Sequence, residues 1–447
     1  MARPANVHNG WSGSRKAALA SLVGTTIEWY DFYLYGTASA LVFNHLFFSG
    51  ASPVAGLLAA FATYAVGFGA RPVGAVLAGH LGYRWGRTSV LVASLLAMGV
   101  STVLIGVLPV YGQVGLVAPA LLVLVRVVQG LAVGGEWGGA ALLAVEHAPA
   151  GRRGLLGSFT QIGSSVGMLL ASGGFATVRS LGGQAAFESW GWRLPFLASA
   201  VLIAVGLAVR LKLEEAPVFA RTRDAGALAR QPLVEVFRTH RRNLWLTTGM
   251  RVSQIGVYTL YTTFGLSYMQ RYFGASSNVG LTGVLVISAV GLVSTPLWAI
   301  VSDRVGRRPV YLFGAIGSAV FFGVFFLAVR SGSPVWTILA MVVGANLFHD
   351  AMYGPQAAWF TELFGTRVRY SGTSIGYQFG SVVGGGLTPL IATSLLVAGG
   401  GSPWLVLGYF LVLSVFTIVS AYLAAETYAS PDLDETPSRE PVAVGEG

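Results

Sequence analysis

Cysteine is absent from the 447 residues, which rules out disulfide frameworks, thiolate zinc sites and thiol nucleophiles, and leaves the redox compartment unread. Charge is scarce as well. Only 10% of residues are charged, too few to build the mixed-sign surface of a water-soluble domain. The lysines number two, Lys16 and Lys212, and neither follows a glycine, so no Gly-Lys-Ser/Thr phosphate loop exists. ATP hydrolysis by that route is excluded. Six scattered histidines argue against a metal centre or an intramembrane enzyme built on a histidine base.

What fills the space is apolar. Hydrophobic residues make up 54% of the chain and mean hydropathy is +0.66, the stock of a protein embedded in lipid. A net charge of +10 could suggest nucleic acid as a partner, but the basic residues sit in short gaps rather than in one patch or along one helix face. Nucleic acid is therefore not an expected partner.

At about 20 residues per crossing, the hydropathy pattern predicts helices at 17–45, 55–81, 89–110, 115–145, 155–178, 192–211, 244–272, 281–301, 309–329, 335–361, 370–397 and 403–425. The expected fold class is an all-α, multi-pass membrane protein. Arginines mark alternate gaps: Arg84 and Arg87, Arg152 and Arg153, Arg304 with Arg307 and Arg308, Arg367 with Arg369. By the positive-inside rule these gaps and both termini are expected on the cytoplasmic side of the cell membrane. Arg15 and Lys16 ahead of the first apolar run resemble a signal-peptide start, yet that run holds Glu28 and Asp31 and has no small-residue cleavage site. It is expected to stay in the mature protein.

The chain divides into five segments: 1–16 as an N-terminal stretch, 17–211 as a first six-helix bundle, 212–243 as a charged linker, 244–425 as a second bundle and 426–447 as a disordered tail. An internal repeat supports the halves. Gly82-Tyr83-Arg84-Trp85-Gly86-Arg87 aligns with Ser302-Asp303-Arg304-Val305-Gly306-Arg307, about 220 residues on. The same offset lays Gly134-Gly135-Glu136 over Gly354-Pro355-Gln356. Duplicated halves around an axis normal to the membrane place a substrate site at their interface, near the midplane.

Charges inside the apolar runs are the sharper signal, because burying one costs at least a few kcal/mol and persists where it serves transport or meets a partner. Glu28 and Asp31 share a helix face with Tyr35. Carboxylates that close resist ionising together, which suits proton carriage; pairing with an arginine is the structural alternative. Arg126, Gln129, Val133 and Glu136 fall on one broad face of the fourth helix. Arg126 can clamp a substrate carboxylate or hold Glu28 or Asp31 ionised until a proton arrives. The seventh helix offers Arg251, Gln254, Tyr258 and Tyr261 as a polar cavity wall, and the tenth offers Asn346, His349, Asp350, Tyr353 and Gln356. Asp350 beside His349 is a second proton site or a satisfied structural pair. Arg71, with Pro72 next to it, needs a partner: either an acid of the first helix or the substrate.

Glycine-rich runs open the fifth and eleventh helices, Gly157 to Gly167 and Gly372 to Gly386, and suit close packing and sliding. Both contain Gly-x-Ser-x-Gly. The hydrolase reading of that pattern needs a strand, a turn and a nearby base, none of which is in view.

The loop pattern Gly-x-x-x-Asp-Arg-x-Gly-Arg and its echo resemble the hallmark of the major facilitator superfamily. A finer resemblance is to the metabolite:proton symporter branch. It rests on Gly24-Thr25-Thr26-Ile27-Glu28-Trp29-Tyr30-Asp31-Phe32-Tyr33, Arg71-Pro72, the run from Arg126 to Gly139, Tyr353-Gly354-Pro355-Gln356 and Arg369-Tyr370-Ser371-Gly372. The resemblance implies two six-helix bundles in pseudo-symmetric arrangement, no cofactor beyond a proton gradient, and a monomer. It implies uptake of a small organic acid with a proton; zwitterionic osmolytes such as proline or glycine betaine are the alternative, and antiport a weaker one. It assigns the cytoplasmic gate to Gly79, Arg84, Gly86 and Arg87 in the first copy and to Asp303, Arg304, Gly306 and Arg307 in the second. Tyr83 stands where the family has aspartate, so the first latch lacks its carboxylate. In relatives the arginine matching Arg126 is linked to proton transfer, which makes Glu28, Asp31, Arg126, Glu136 and Asp350 the expected coupling set. Tyr35, Arg71, Gln129, Arg251, Gln254, Tyr258, Asn346 and Gln356 are the expected substrate contacts.

Overall fold

In the computed structural model, residues 7–428 are described apart from 86, 150, 212–231, 275–277 and 367. Every regular element among them is helical. Twelve long helices run in order: α1 (7–46), α2 (53–85), α3 (87–107), α4 (117–146), α5 (153–191), α6 (193–210), α7 (241–273), α8 (279–305), α9 (307–330), α10 (334–362), α11 (369–398) and α12 (404–423).

Nine of these described helices are long and apolar enough to cross a membrane, and α6 is apolar but shorter. The other two, α1 and α7, fall short because they carry the charged and amide side chains. Both can be polar because they face protein: almost every residue of α7 from Leu244 to Phe264 is buried. Lipid-facing positions of the outer helices are correspondingly apolar and exposed, as at Leu104, Val293, Val320, Leu327 and Phe416.

Wide π-helical turns interrupt five helices, including Ser39–Phe43 in α1 and Leu260–Phe264 in α7. These two lie at corresponding places in the repeat. A π turn inserts one residue and rotates the remainder of the helix, a device common at functional sites. The repeat also reappears in packing: a Cβ on Gly134 would lie 2.2 Å from the Arg71 carbonyl oxygen of α2, and one on Gly354 2.5 Å from the Thr295 carbonyl oxygen of α8. Glycine at both positions lets α4 meet α2, and α10 meet α8, backbone to backbone.

The structure corrects the sequence boundaries at four places. The first helix starts at Val7, and the fifth runs on past 178, is broken at Gly183, whose φ is +72°, and resumes to Ala186 before its π turn, since helices outrun the apolar window that reveals them. Of the stretch 212–243, residues 212–231 lie outside the described part, but Pro232–Thr239 forms a helix. Its Val236 packs with Leu244, Val368 and Ile375 of the second half, so this part of the linker is docked. The assigned tail begins at 426, yet Thr427 is buried and the Trp359 indole donates to the Ala425 carbonyl at 2.9 Å. Order therefore extends through the anchoring residues Glu426 and Thr427.

Candidate functional site

Four helices of the first half converge on Asp31. The residue is buried, and the Thr102 hydroxyl of α3 donates to its Oδ1. Gln129 Nε2 of α4 donates to Thr102 Oγ1 at 3.0 Å, and Arg126 Nη1 donates to Gln129 Oε1. Arg126 thus reaches the carboxylate through an amide and a hydroxyl, with no direct ion pair. Arg126, Arg71 and Glu136 are charged groups acting on Asp31. The Arg126 guanidinium lies 4.0 Å over the Tyr35 ring, whose hydroxyl bonds Thr63 Oγ1 at 2.6 Å. Thr102 also has the Met98 carbonyl within 3.0 Å; one hydroxyl proton serves two acceptors, so its choice depends on whether Asp31 carries a proton.

Beside this chain, Arg71 Nη1 lies 3.8 Å from Glu28 Oε1, with its guanidinium 4.5 Å over the Phe68 ring and 5.1 Å over Phe32. The acid of α1 and the cation of α2 form a buried pair. Glu136 is buried too, at the first turn of the helical segment after the Gly134-Gly135 break, where helix N-terminal dipoles favour a negative charge.

Arg251 anchors the second half. Its Nε donates to Ser381 Oγ at 3.1 Å, Nη1 to Gln356 Oε1 at 2.9 Å and to Gln254 Oε1, and Nη2 to the Tyr377 hydroxyl at 2.6 Å. All of these acceptors are neutral, and no described carboxylate lies within ion-pair distance of this fully buried cation. Its guanidinium stacks 3.8 Å from the Tyr377 ring and faces Trp29 of α1 at 5.9 Å. Gln254 Nε2 lies 2.6 Å from His349 Nε2, and His349 Nδ1 lies 2.9 Å from Asp350 Oδ1. Asn346 Nδ2 at 3.0 Å and Ser294 donate to Asp350 Oδ2.

Aromatic and amide contacts close the space between the halves. Tyr33 meets Tyr258 at 5.7 Å between centroids, Trp137 stacks on Tyr377 at 3.6 Å, and Gln161 Nε2 donates to the Tyr353 carbonyl at 3.0 Å. On the arginine-rich face the two carboxylate oxygens of Asp303 accept from the Gly154 and Leu155 amides, each at 2.9 Å. An acid of α8 thereby caps α5 across the half-to-half boundary, where the helix dipole strengthens the bond. Arg307 holds the same carboxylate through Nη1 at 2.6 Å and pairs with Glu362 through Nη2 at 3.2 Å. Glu426 accepts from the amides of Arg307 and Arg308, both at 2.9 Å. Gly306 must be glycine here: its φ is +110°, and a Cβ would sit 2.9 Å from Glu426 Oε2. Arg369 to Glu146 at 3.5 Å and the Tyr370 hydroxyl to the Gly135 carbonyl at 2.8 Å complete the closure.

This latch has a measurable consequence. Asp303→Ala removes a charge-assisted bond pair worth about 1.5–3 kcal/mol, a shift of roughly tenfold to a hundredfold toward opening of that face. Because the chain has no cysteine, Ser371→Cys beside Tyr370 gives a clean alkylation probe, and its rate should rise in the Asp303→Ala background. An unchanged rate would deny the latch its role.

The first half, residues 16–235, matches the family described as Sugar (and other) transporter, and residues 246–444 match Major Facilitator Superfamily. The shikimate transporter of Escherichia coli (strain K12) is 40% identical over 90% of this chain and 92% of its own. The chain belongs to the major facilitator superfamily. Within it the relatives are metabolite transporters. They include the inner membrane metabolite transport protein YhjE of the same organism, 40% identical over 85% of this chain and 87% of its own, and its proline/betaine transporter, 32% identical over 86% and 78%. The fold matches the proton:xylose symporter XylE with a TM-score of 0.74 at 19% identity, covering 93% of this chain and 97% of that one. The protein is a multi-pass membrane transporter and not an enzyme.

As a transporter of this superfamily it brings the sequence-chosen residues into two groups. Glu28, Asp31, Tyr35, Arg71, Gln129 and Arg126 gather with Thr102; Arg251, Gln254, Gln356, Asn346 and Asp350 gather with His349. Tyr258 stands between them, against Tyr33 and His349. Arg304 is exposed at the end of α8, while Asp303, Gly306 and Arg307 form the latch. The first loop copy, with Gly79, Tyr83, Arg84, Gly86 and Arg87, lies outside the residues whose side chains are described. Sequence reading passed over Thr102, Gln161, Tyr377, Glu362 and Glu426. Thr102 was visible as half of the only polar pair deep in the third helix, whereas Glu426 was hidden in a stretch with the composition of a tail.

Proposed function

We propose that the transporter is a proton symporter that takes up a small carboxylate-bearing metabolite, with a ring acid of the shikimate kind as the leading class. The observation that carries this reading is Arg251, a buried guanidinium at the half-to-half interface whose described partners are all neutral. A buried cation without a countercharge favours an anionic guest, and its planar fork fits a carboxylate. Asp31 supplies the proton site. Ionised, it holds the Thr102 proton; protonated, it donates to Thr102 Oγ, which turns its own proton to the Met98 carbonyl. Protonation removes an ionised carboxylate from the path of the rocking halves, while the substrate charge meets Arg251, so each loading event lowers the cost of the other.

The arginine-rich face and both termini are cytoplasmic in this reading, the membrane is the bacterial inner membrane, and the working unit is a monomer. A zwitterionic guest is the second reading. It is favoured by the contiguous rings of Trp29, Tyr33 and Tyr258, an aromatic wall for a quaternary ammonium whose carboxylate meets Arg251, which lies 5.9 Å from the Trp29 ring.

Proteoliposomes with an imposed pH gradient decide between them. Shikimate, dicarboxylates, proline and glycine betaine are offered in turn, and the expected result is carboxylate accumulation that rises as external pH falls. Accumulation that persists after the gradient is collapsed, without accompanying proton flux, overturns the symport reading. Uptake of betaine alone selects the zwitterion.

A further inference from the structure

His349 lies in the π-helical segment of α10, buried between the Tyr258 and Tyr353 rings at 4.8 and 5.3 Å between centroids. Both of its ring nitrogens have polar neighbours. Gln254 Oε1 accepts from Arg251 Nη1 and from Gln356 Nε2 at 3.3 Å, so the oxygen end of that amide faces two donors and the nitrogen end faces His349. An amide nitrogen only donates. His349 Nε2 is therefore the bare acceptor, and Nδ1 carries the single ring proton toward Asp350. The grip of Arg251 on the Gln254 oxygen thereby sets which end of the amide His349 meets.

The geometry points to Gln254 as a two-position relay that couples occupancy of Arg251 by a carboxylate to binding of a second proton at His349 Nε2. The inference rests on the proposed assignment of the substrate carboxylate to Arg251. When that carboxylate takes the guanidinium, the Gln254 oxygen loses its charged donor and the amide can turn over. Its oxygen then accepts from His349 Nε2, which binds one proton drawn from cavity water, and Asp350 balances the imidazolium. The amide nitrogen, now directed at Arg251, meets the carboxylate, an acceptor. With the site empty the same turn would aim donor at donor. Proton and anion therefore each raise the affinity for the other.

Among the described residues, the charged and titratable groups around His349 are Asp350 and Tyr353 from α10, Tyr258 from α7 and, across Gln254, Arg251. From α1 come Tyr33 against Tyr258 and Glu28, which acts on Tyr353. From α8, Ser294 holds Asp350. Asp350 is the carboxylate in direct contact with the ring, so it is the counterion the protonated state requires.

Nitrogen-15 NMR of the full-length, histidine-labelled protein in lipid nanodiscs tests this, with the His349 signal identified by its loss in His349→Gln. The neutral ring should carry its proton on Nδ1; an Nε2–H tautomer overturns the relay without any variant. Saturating shikimate should raise the proton affinity of His349 about tenfold, and methyl shikimate, which has no carboxylate, should not. Arg251→Gln imitates the release of Gln254 with no ligand, and should raise that affinity similarly. In a Gln254→Met background the effect of Arg251→Gln should fall to about a third or less. Equal effects in both backgrounds mean simple charge repulsion and overturn the relay. An intact variant cycle with no response to any carboxylate supports the relay and instead sinks the carboxylate assignment.

Discussion

Replacing Arg126 by alanine abolishes gradient-driven uptake while leaving folded transporter in the membrane. Four contacts carry this expectation. The guanidinium grips Gln129, which orients Thr102 on Asp31, and it covers the Tyr35 ring at 4.0 Å. Its loss takes away a cation acting on a buried carboxylate, and truncating one member of a buried charged network costs about 2–5 kcal/mol. That corresponds to roughly a thirtyfold to several-thousandfold loss in the coupled step. Arg126→Lys keeps the charge but not the planar fork, so it should recover only part of the rate. Gly67 offers a graded version. A Cβ there would sit 2.4 Å from Arg126 Nε, so Gly67→Ala should displace the guanidinium and lower uptake without removing any charge. Initial uptake rates in proteoliposomes, normalised to monodisperse protein, supply the measurement; full activity of Arg126→Ala removes the proposed coupling.

Arg251→Ala should fail differently. Its substrate is expected to lose the main anchoring charge, so affinity for the carboxylate falls by roughly thirtyfold or more, from a loss of about 2–5 kcal/mol. Exchange of labelled for unlabelled substrate across the membrane, which needs binding but no net proton movement, should vanish with it. In Arg126→Ala that exchange survives if the residue serves the proton, and is lost if it clamps substrate. The pair of measurements therefore assigns each arginine. Unaltered exchange in Arg251→Ala would send the carboxylate elsewhere.

Much of this was legible in the chain. Long apolar runs and alternating arginines specify twelve crossings, because lipid tolerates few other solutions. Charges within those runs identified Asp31, Arg126 and Arg251 as functional candidates, since an idle buried charge is costly. The first and seventh helices were found despite being too polar for a hydropathy criterion alone, as their remaining apolar residues still outline a span.

Other parts could not be read this way. Sequence spacing put Glu28 and Asp31 on one face, but the structure divides their partners: Arg71 lies beside Glu28, while Thr102 contacts Asp31. Thr102 reaches Asp31 from a different helix, and one-dimensional periodicity contains no term for a neighbour 71 residues away. Glu426 looked like tail composition because its partners, the Arg307 and Arg308 amides, lie more than a hundred residues earlier.

The sequence alone determined that this protein lives in a bilayer, that it is duplicated, and which side chains are too expensive to bury without purpose. Only the tertiary structure decided which of those charges are neutralised and which are not. Among the described residues, Arg71 has Glu28, Arg307 has Asp303 and Glu362, and Arg251 has neutral partners alone. The reason is electrostatic: composition sets the cost of an intramembrane charge, but pairing depends on a few ångströms between helices distant in the chain.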